Sequence, residues 1–170
     1  MKRVFVGLSG GVDTAVSACL LKKEGYEVTG VFLKVWEPDF LPCTSREDRL
    51  SAMQVAAHLE IPFITYNLEE EYKKGVVDYF VHQYALGRTP NPDVMCNKEI
   101  KFGAFLKKAL ESGADYIATG HYARLRREIT NNKHQITNKP QIIKDKIQTL
   151  KLLKGNDENK DQTYFLWTLT

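Results

Sequence analysis

Ser9-Gly10-Gly11-Val12-Asp13-Thr14 places two hydroxyls and two adjacent glycines between a short apolar run and a helical pattern. Glycines at such a junction let main-chain N–H groups turn toward an anion, and the helix start behind them adds partial positive charge. Ser9 and Thr14 contribute hydroxyl donors. The pattern predicts a phosphate-binding loop, with a tight strand–helix turn that holds nothing as the competing reading. It is not a Walker A loop, since no Gly-Lys-Ser/Thr follows, nor a GxGxxG dinucleotide fingerprint.

A second constellation is Arg88-Thr89-Pro90-Asn91-Pro92-Asp93-Val94-Met95-Cys96-Asn97-Lys98. Two prolines fix the approach, and Cys96 is expected at or just before the first turn of the next helix. The helix dipole there would lower its thiol pKa and favour thiolate. Asp93 is either a proton acceptor or an N-cap. A cysteine near a helix start is, by itself, more often structural. Cys19 reads as core on the first helix, and Cys43, in a loop after Pro42, is left open.

The elements that must position these residues follow from hydrophobic periodicity. Strands are expected at Val4–Leu8, Val28–Val35, Ile61–Leu68 and Asp115–Thr119. Helices are expected at Asp13–Glu24 (apolar face Val16 and Leu20, N-cap Asp13, stop Gly25), Ser45–Leu59 (capping box to Asp48), Glu69–Leu86 and Lys98–Glu111. Strands alternating with helices give βαβ units, hence a doubly wound, Rossmann-like α/β fold with a parallel sheet and helices on both faces. Ligands of such sheets bind beyond the carboxyl ends of the strands. Ser9–Thr14, Lys34-Val35-Trp36 and Gly120-His121-Tyr122 all fall there.

Composition agrees with one such domain. The chain has 170 residues, 43% hydrophobic and 26% charged, which excludes disorder, collagen and coiled coil. No apolar run is long enough to span a membrane, and the N-terminus does not resemble a signal peptide. Three cysteines cannot all pair, so a reducing, cytoplasmic setting is expected. Charge is unevenly spread: Arg124 to Lys154 holds nine basic and two acidic residues, although the whole chain carries only +3. That asymmetry fits either a polyanion-facing segment or a solvated basic loop. Domain boundaries are expected at 1–127 for the core, 128–149 for a basic hairpin or loop insertion, and 150–170 for the start of a further helical segment. That last segment is expected to form a strand at Leu150–Leu153 and then a helix capped by Asp157 or Asn159. Ending on the apolar Phe165–Thr170, it reads as cut short.

The SGGxD[ST] loop resembles that of the ATP pyrophosphatases of the adenine-nucleotide alpha-hydrolase type, which split ATP between its α and β phosphates and adenylate a carbonyl oxygen. Beside such a loop Cys96 becomes a candidate nucleophile, because an adenylated carbonyl needs one. Gly7–Thr14 (GLSGGVDT), Gly87–Phe102 (GRTPNPDVMCNKEIKF), Gly113–Arg124 (GADYIATGHYAR) and Asn159–Leu166 (NKDQTYFL) together resemble the tRNA-specific 2-thiouridylases. Thr14-Ala15 departs from the family's usual Ser-Ser. The resemblance implies ATP-dependent 2-thiolation of the wobble uridine (position 34) of tRNA, by an adenylated intermediate and a cysteine persulfide. It implies ATP contacts at Gly7, Leu8, Ser9, Gly10, Gly11, Val12, Asp13, Thr14, Leu33 and Gly120. Asn91, Pro92 and Asp93 would meet the target base, with Asp93 the acid/base residue and Cys96 the nucleophile. His121, Lys160, Asp161 and Gln162 would contact the tRNA anticodon arm. Mg²⁺ is expected with ATP, without a protein ligand set, and a sulfur-carrier or desulfurase-derived persulfide protein as sulfur donor. The family's second catalytic cysteine, which forms a disulfide on product release, is expected beyond Thr170; without it the chain would only bind or hydrolyse ATP. Two other readings stay open: a non-catalytic nucleotide- or tRNA-binding module, and another ATP-pyrophosphatase synthetase.

Overall fold

A computed structural model of the chain describes residues 1–38, 40, 44–133, 144–157 and 159–169. Cys43, residues 134–143 of the basic insertion and Thr170 lie outside them. The described chain divides into two compact units, Met1–His121 with Phe165–Thr170, and Tyr122–Tyr164.

In the first unit, β1 (Arg3–Gly7), α1 (Val12–Lys23), β2 (Glu27–Lys34), α2 (Ser45–His58) and β3 (Phe63–Asn67) alternate. Then α3 (Glu69–Tyr72) passes through a π-helical stretch (Lys73–Val77) into α4 (Asp78–Ala85). Next, α5 (Pro92–Met95) passes through a longer π-helical stretch (Cys96–Phe105) into α6 (Leu106–Glu111), and β4 (Tyr116–Ala118) follows. The strands form one sheet in the order β3-β2-β1-β4, parallel throughout, with Val4 opposite Val28 and Tyr116, and Leu33 opposite Tyr66.

Both faces of this sheet are covered, which is why its strands read as unbroken apolar runs. Val4, Val6, Val28 and Phe32 pack on Ala18 of α1 and Ala52 and Ala56 of α2. The alternate residues Phe5 and Val31 face Val76, Ile100, Phe105 and Ala109 on the other side. The fold is the expected doubly wound α/β sheet.

Three local expectations need correction. The buried face of α1 is Ala18 with Leu21 behind it, whereas Val16 and Leu20 are 50% and 53% exposed and Cys19 is only half-buried. Small alanine lets the helix axis approach the sheet, so bulk was a poor guide to burial there. Asp13 is not an N-cap, since α1 starts after Gly11 with no side-chain cap. Among the described residues no helix forms from Asp157 or Asn159, and the one helical element there is a 3-10 turn, Thr163–Phe165. Asp161 takes amides and the Thr163 hydroxyl in that stretch instead, a local alternative to helical pairing.

The second unit is an antiparallel hairpin of β5 (Arg124–Lys133) and β6 (Lys144–Leu153), registered from Arg124 opposite Leu153 to Lys133 opposite Lys144. At its base Tyr122 N–H donates to Gln162 Oε1 at 3.1 Å, and Gln162 N–H donates to the Tyr122 carbonyl at 3.1 Å. Arg124 Nε donates to the Lys154 carbonyl at 2.9 Å. Among the described residues no helix is long and apolar enough to cross a membrane.

Candidate functional site

The phosphate-loop candidate lies at the carboxyl end of β1. Gly10 takes φ +84°, and a Cβ there would fall 2.6 Å from the Ser51 Cβ, so only glycine lets the loop lie against α2. Thr14 Oγ1 donates to the Gly11 carbonyl at 3.1 Å, the Ser9 amide donates to Thr14 Oγ1 at 3.3 Å, and the Gly11 amide donates to Ser9 Oγ at 3.3 Å. The two hydroxyls therefore brace the loop. The amides of the first turn of α1, beyond Gly11, face the helix start and are the natural anion donors.

The loop after β4 presses on this turn. A Cβ on Gly120 would stand 2.9 Å from the Asp13 carbonyl carbon, the Asp13 Cβ and the Thr14 nitrogen, so Gly120 brings backbone to backbone. Ser17 Oγ of α1 donates to Asp13 O at 2.9 Å and reaches the Thr119 carbonyl at 3.3 Å, tying the same two segments. Glycine at both contact points lets neighbouring backbone pack directly on the turn, which fixes where the amides at the start of α1 are presented, as a triphosphate requires. The residues present fit ATP in that respect. Leu33 is the penultimate residue of β2, half-buried at the same sheet end.

From Gly120 the contacts lead to the cysteine helix. His121 Nε2 lies 3.0 Å from Asn97 Oδ1, and Thr119 Oγ1 lies 2.6 Å from His121 Nδ1. A carboxamide oxygen only accepts, so Nε2 carries the proton and Nδ1 accepts from the Thr119 hydroxyl. Burial first, and then the Lys101 ammonium, push the His121 pKa down to about 4, so the ring is neutral at pH 7. Phe102 lies beside the ring, centroids 5.7 Å apart, and buried Asn97 donates from Nδ2 to the Phe165 carbonyl at 3.5 Å. Both ring nitrogens of His121, an expected tRNA contact, are thus engaged inside the protein.

Cys96 departs from expectation. Asn91 is the N-cap, its Oδ1 accepting from Asp93 N at 3.0 Å and Val94 N at 3.3 Å, and Pro92 occupies the first helical turn. Asp93 is therefore not the cap; it is exposed one turn before the cysteine. The helix starts earlier than periodicity indicates, so Cys96 sits past its first turn, at the head of the π-helical stretch. Burial pushes its thiol pKa up, Lys101 opposes that, and Asp93 adds to it. Desolvation outweighs the dipole that would have favoured thiolate. Tyr72, half-buried on α3, has its phenol pushed up by burial and by Cys96 and Asp93, which marks it as a neighbour of both.

Tyr72 and Lys101 are site residues the sequence did not single out. Tyr72 carries no local signal. Lys101 lies within the block that flags Cys96, but five residues on it would point elsewhere in an α-helix. Among the described residues no group of three or more His, Cys, Asp or Glu side chains is arranged to hold a metal ion, and Cys19 and Cys96 are unpaired.

In the second unit the Lys160-Asp161-Gln162 triplet buttresses the hairpin base. Burial works against the Asp161 carboxylate, but Thr163 and the Gly155 amide donate to it and hold its pKa below the usual value. Lys160 Nζ lies 4.3 Å from the Tyr122 ring centroid. Arg124, Arg126, Arg127, Lys151 and Lys154 are exposed along the base of the ribbon.

Comparison with known proteins gives a consistent set of relatives. The profile of the family described as "tRNA methyl transferase HUP domain" matches residues 2–170. The tRNA-specific 2-thiouridylase MnmA of Oceanobacillus iheyensis is 52% identical over 166 residues, 96% of this chain and 40% of that protein. The protein of the same name from Christiangramia forsetii is 51% identical over 174 aligned positions, 100% of this chain and 40% of that protein. The chain thus spans about two-fifths of the length of these relatives. Among solved structures, the U34-tRNA thiolase NcsA of Methanococcus maripaludis is 22% identical at TM-score 0.49, covering 71% of this chain and 38% of that one.

Proposed function

The chain belongs to the tRNA methyl transferase HUP domain family, and from that premise we propose that it is the ATP-using, thiol-bearing portion of a tRNA-specific 2-thiouridylase. The reaction is ATP-dependent 2-thiolation of the wobble uridine. ATP lies with its phosphates in the Gly7–Thr14 loop, on the amides at the start of α1, its base near Leu33 and Gly120 also against the nucleotide. Mg²⁺ would accompany the triphosphate and offset its charge, with no protein ligand set called for. The uracil, drawn out of the anticodon stack, meets Asn91, Pro92 and Asp93. Its O2 attacks the α-phosphate and expels pyrophosphate. The outer sulfur of a persulfide on Cys96 then attacks C2 and AMP leaves with O2; a second thiol, which the family carries beyond Thr170, attacks the Cys96 sulfur, so that a disulfide forms and the thiolated base is freed. Asp93 serves as the acid/base group.

The observation that supports this reading most is the unbroken series of contacts Cys96-Asn97, His121, Gly120, Asp13. It sets a cysteine and a phosphate-type loop at one end of one sheet. The family description speaks of methyl transfer, but a cysteine helix beside such a loop favours sulfur transfer through an adenylate. The tRNA anticodon arm is the partner, with the basic Arg124–Lys154 stretch as its phosphate-facing segment, of which Arg124, Arg126, Arg127, Lys151 and Lys154 are exposed, and Lys160, Asp161 and Gln162 nearby in sequence. His121 can meet the RNA only by exchanging one of its internal hydrogen bonds. The sulfur donor is a persulfide-bearing protein, and the setting is the cytoplasm.

Pyrophosphate release from ATP tests the reading, measured with an anticodon arm that carries uridine at the wobble position. Stimulation by that RNA, abolished by Asp93→Ala and retained in Cys96→Ser, is the expected result. Stimulation by free amino acids or purines instead of RNA would point to a synthetase of the same fold. RNA binding with no pyrophosphate under any condition would leave a binding module.

A further inference from the structure

We propose that Lys101 is a positioning residue for the chemistry of Cys96, its ammonium laid beside the sulfur by the π-helical turn as the counter-ion of the sulfur anion. This deepens the reading of Cys96 as the sulfur-bearing residue and rests on it.

The argument begins with helix geometry. At 3.6 residues per turn, side chains five apart in an α-helix point about 140° from one another. Closing hydrogen bonds at i→i+5 widens the turn and brings residues five apart round to the same side of the helix. Cys96–Phe105 is such a stretch. Its effect is visible one residue along, where Asn97 and Phe102, also five apart, both meet His121. Cys96 and Lys101 are the preceding pair with the same spacing.

Glycine permits the widened turn. A Cβ on Gly103 would stand 2.9 Å from the Lys98 carbonyl oxygen, the residue five positions earlier. A Cβ on Gly75, in the other π-helical stretch, would come within 3.0 Å of the Glu99 Cβ. Two wide turns thus pack against each other at the cysteine's level.

The charge environment completes the case. Lys101 is half-buried, and among the described residues no carboxylate forms an ion pair with it, whereas Lys98 pairs with Glu99 and Lys108 with Glu71. The titratable groups around Cys96 are Asp93 on its own helix, Tyr72 on α3 and Lys101. His121, which Lys101 also influences, is neutral at pH 7. Asp93 disfavours a sulfur anion and Tyr72 is neutral; among the described residues Lys101 is the one that favours it. Half-burial keeps that attraction from being fully screened by salt.

The test is the rate of iodoacetamide alkylation of Cys96 against pH, read by mass spectrometry of the Cys96 peptide so that Cys19 and Cys43 do not contribute. Lys101→Met moves the profile to higher pH and slows alkylation at pH 7 by about three- to tenfold. Lys101→Arg restores most of the wild-type profile, and Asp93→Asn moves it the opposite way. Lys101→Gln serves as the second neutral variant should Lys101→Met unfold. A profile unchanged in a folded neutral variant, or slowed equally at all pH values, overturns the proposal. The assay uses neither ATP nor RNA, so it reports on Lys101 even if the thiolation reading fails.

Discussion

Replacing Gly120 with alanine drives a methyl group into the first turn of α1. The new Cβ would lie 2.9 Å from the Asp13 carbonyl carbon and the Thr14 nitrogen. Non-bonded carbon pairs rest at ~3.5 Å or more, so the two backbones must separate by about 0.6 Å. Side-chain rotation cannot relieve the clash, because two of the three obstructing atoms are main chain. Overpacking of this kind costs about 1–3 kcal/mol. The free protein relieves it by moving the turn whose amides are to hold the phosphates. Binding ATP must restore the original position, so the same energy reappears as about 5- to 150-fold weaker affinity. Calorimetric titration with ATP and Mg²⁺, alongside urea unfolding, measures both consequences. Ala109→Gly, in the core of α6, loses about 1 kcal/mol of stability without touching the loop and keeps its ATP affinity. Wild-type affinity in folded Gly120→Ala would refute the placement of the phosphates.

Asn91→Ala removes the side chain that accepts two amides at the start of α5 and costs about 1 kcal/mol in urea unfolding, while Asn91→Asp keeps most of it. His121 has a folded pKa near 4, below its ordinary value, so the stability it contributes is full above pH 6.5 and is lost as pH falls toward 4. The urea midpoint therefore declines across that window, and His121→Gln flattens the decline; an unchanged slope would mean that the ring is not buried neutral. Deleting Glu128–Gln148 removes basic residues from the hairpin, so the fall of anticodon-arm affinity with salt becomes shallower, as filter binding at several salt concentrations would reveal. An identical slope would leave the ribbon without a phosphate-binding role.

The parallel sheet was legible because each strand is apolar on both faces, and helices buried on one side separate them. The tight glycine turn between β1 and α1 was legible because paired glycines between an apolar run and a helical pattern mark such a turn. Geometry that depends on tertiary contact was not. Val16 and Leu20 look like a buried face, yet Ala18 is buried because small size allows close approach to the sheet. Cys96 appears poised at a helix start, but Asn91 caps the helix earlier, and burial rather than the dipole governs the thiol. The π-helical turn has no periodic signature, so the pairing of Cys96 with Lys101, and of Asn97 with Phe102 around His121, could not be read from α-helical spacing. Asp161 and Gln162, read as RNA contacts, also make the internal hydrogen bonds that close the hairpin base.

The most direct measurement is a crystal structure of the protein soaked with a non-hydrolysable ATP analogue. Phosphate oxygens within hydrogen-bonding distance of the Val12–Thr14 amides, with the Cys96 sulfur facing the α-phosphate side of the same crevice, is the predicted result. An analogue bound elsewhere, or a Cys96 sulfur turned away behind Tyr72 with no path to the nucleotide, would contradict the account.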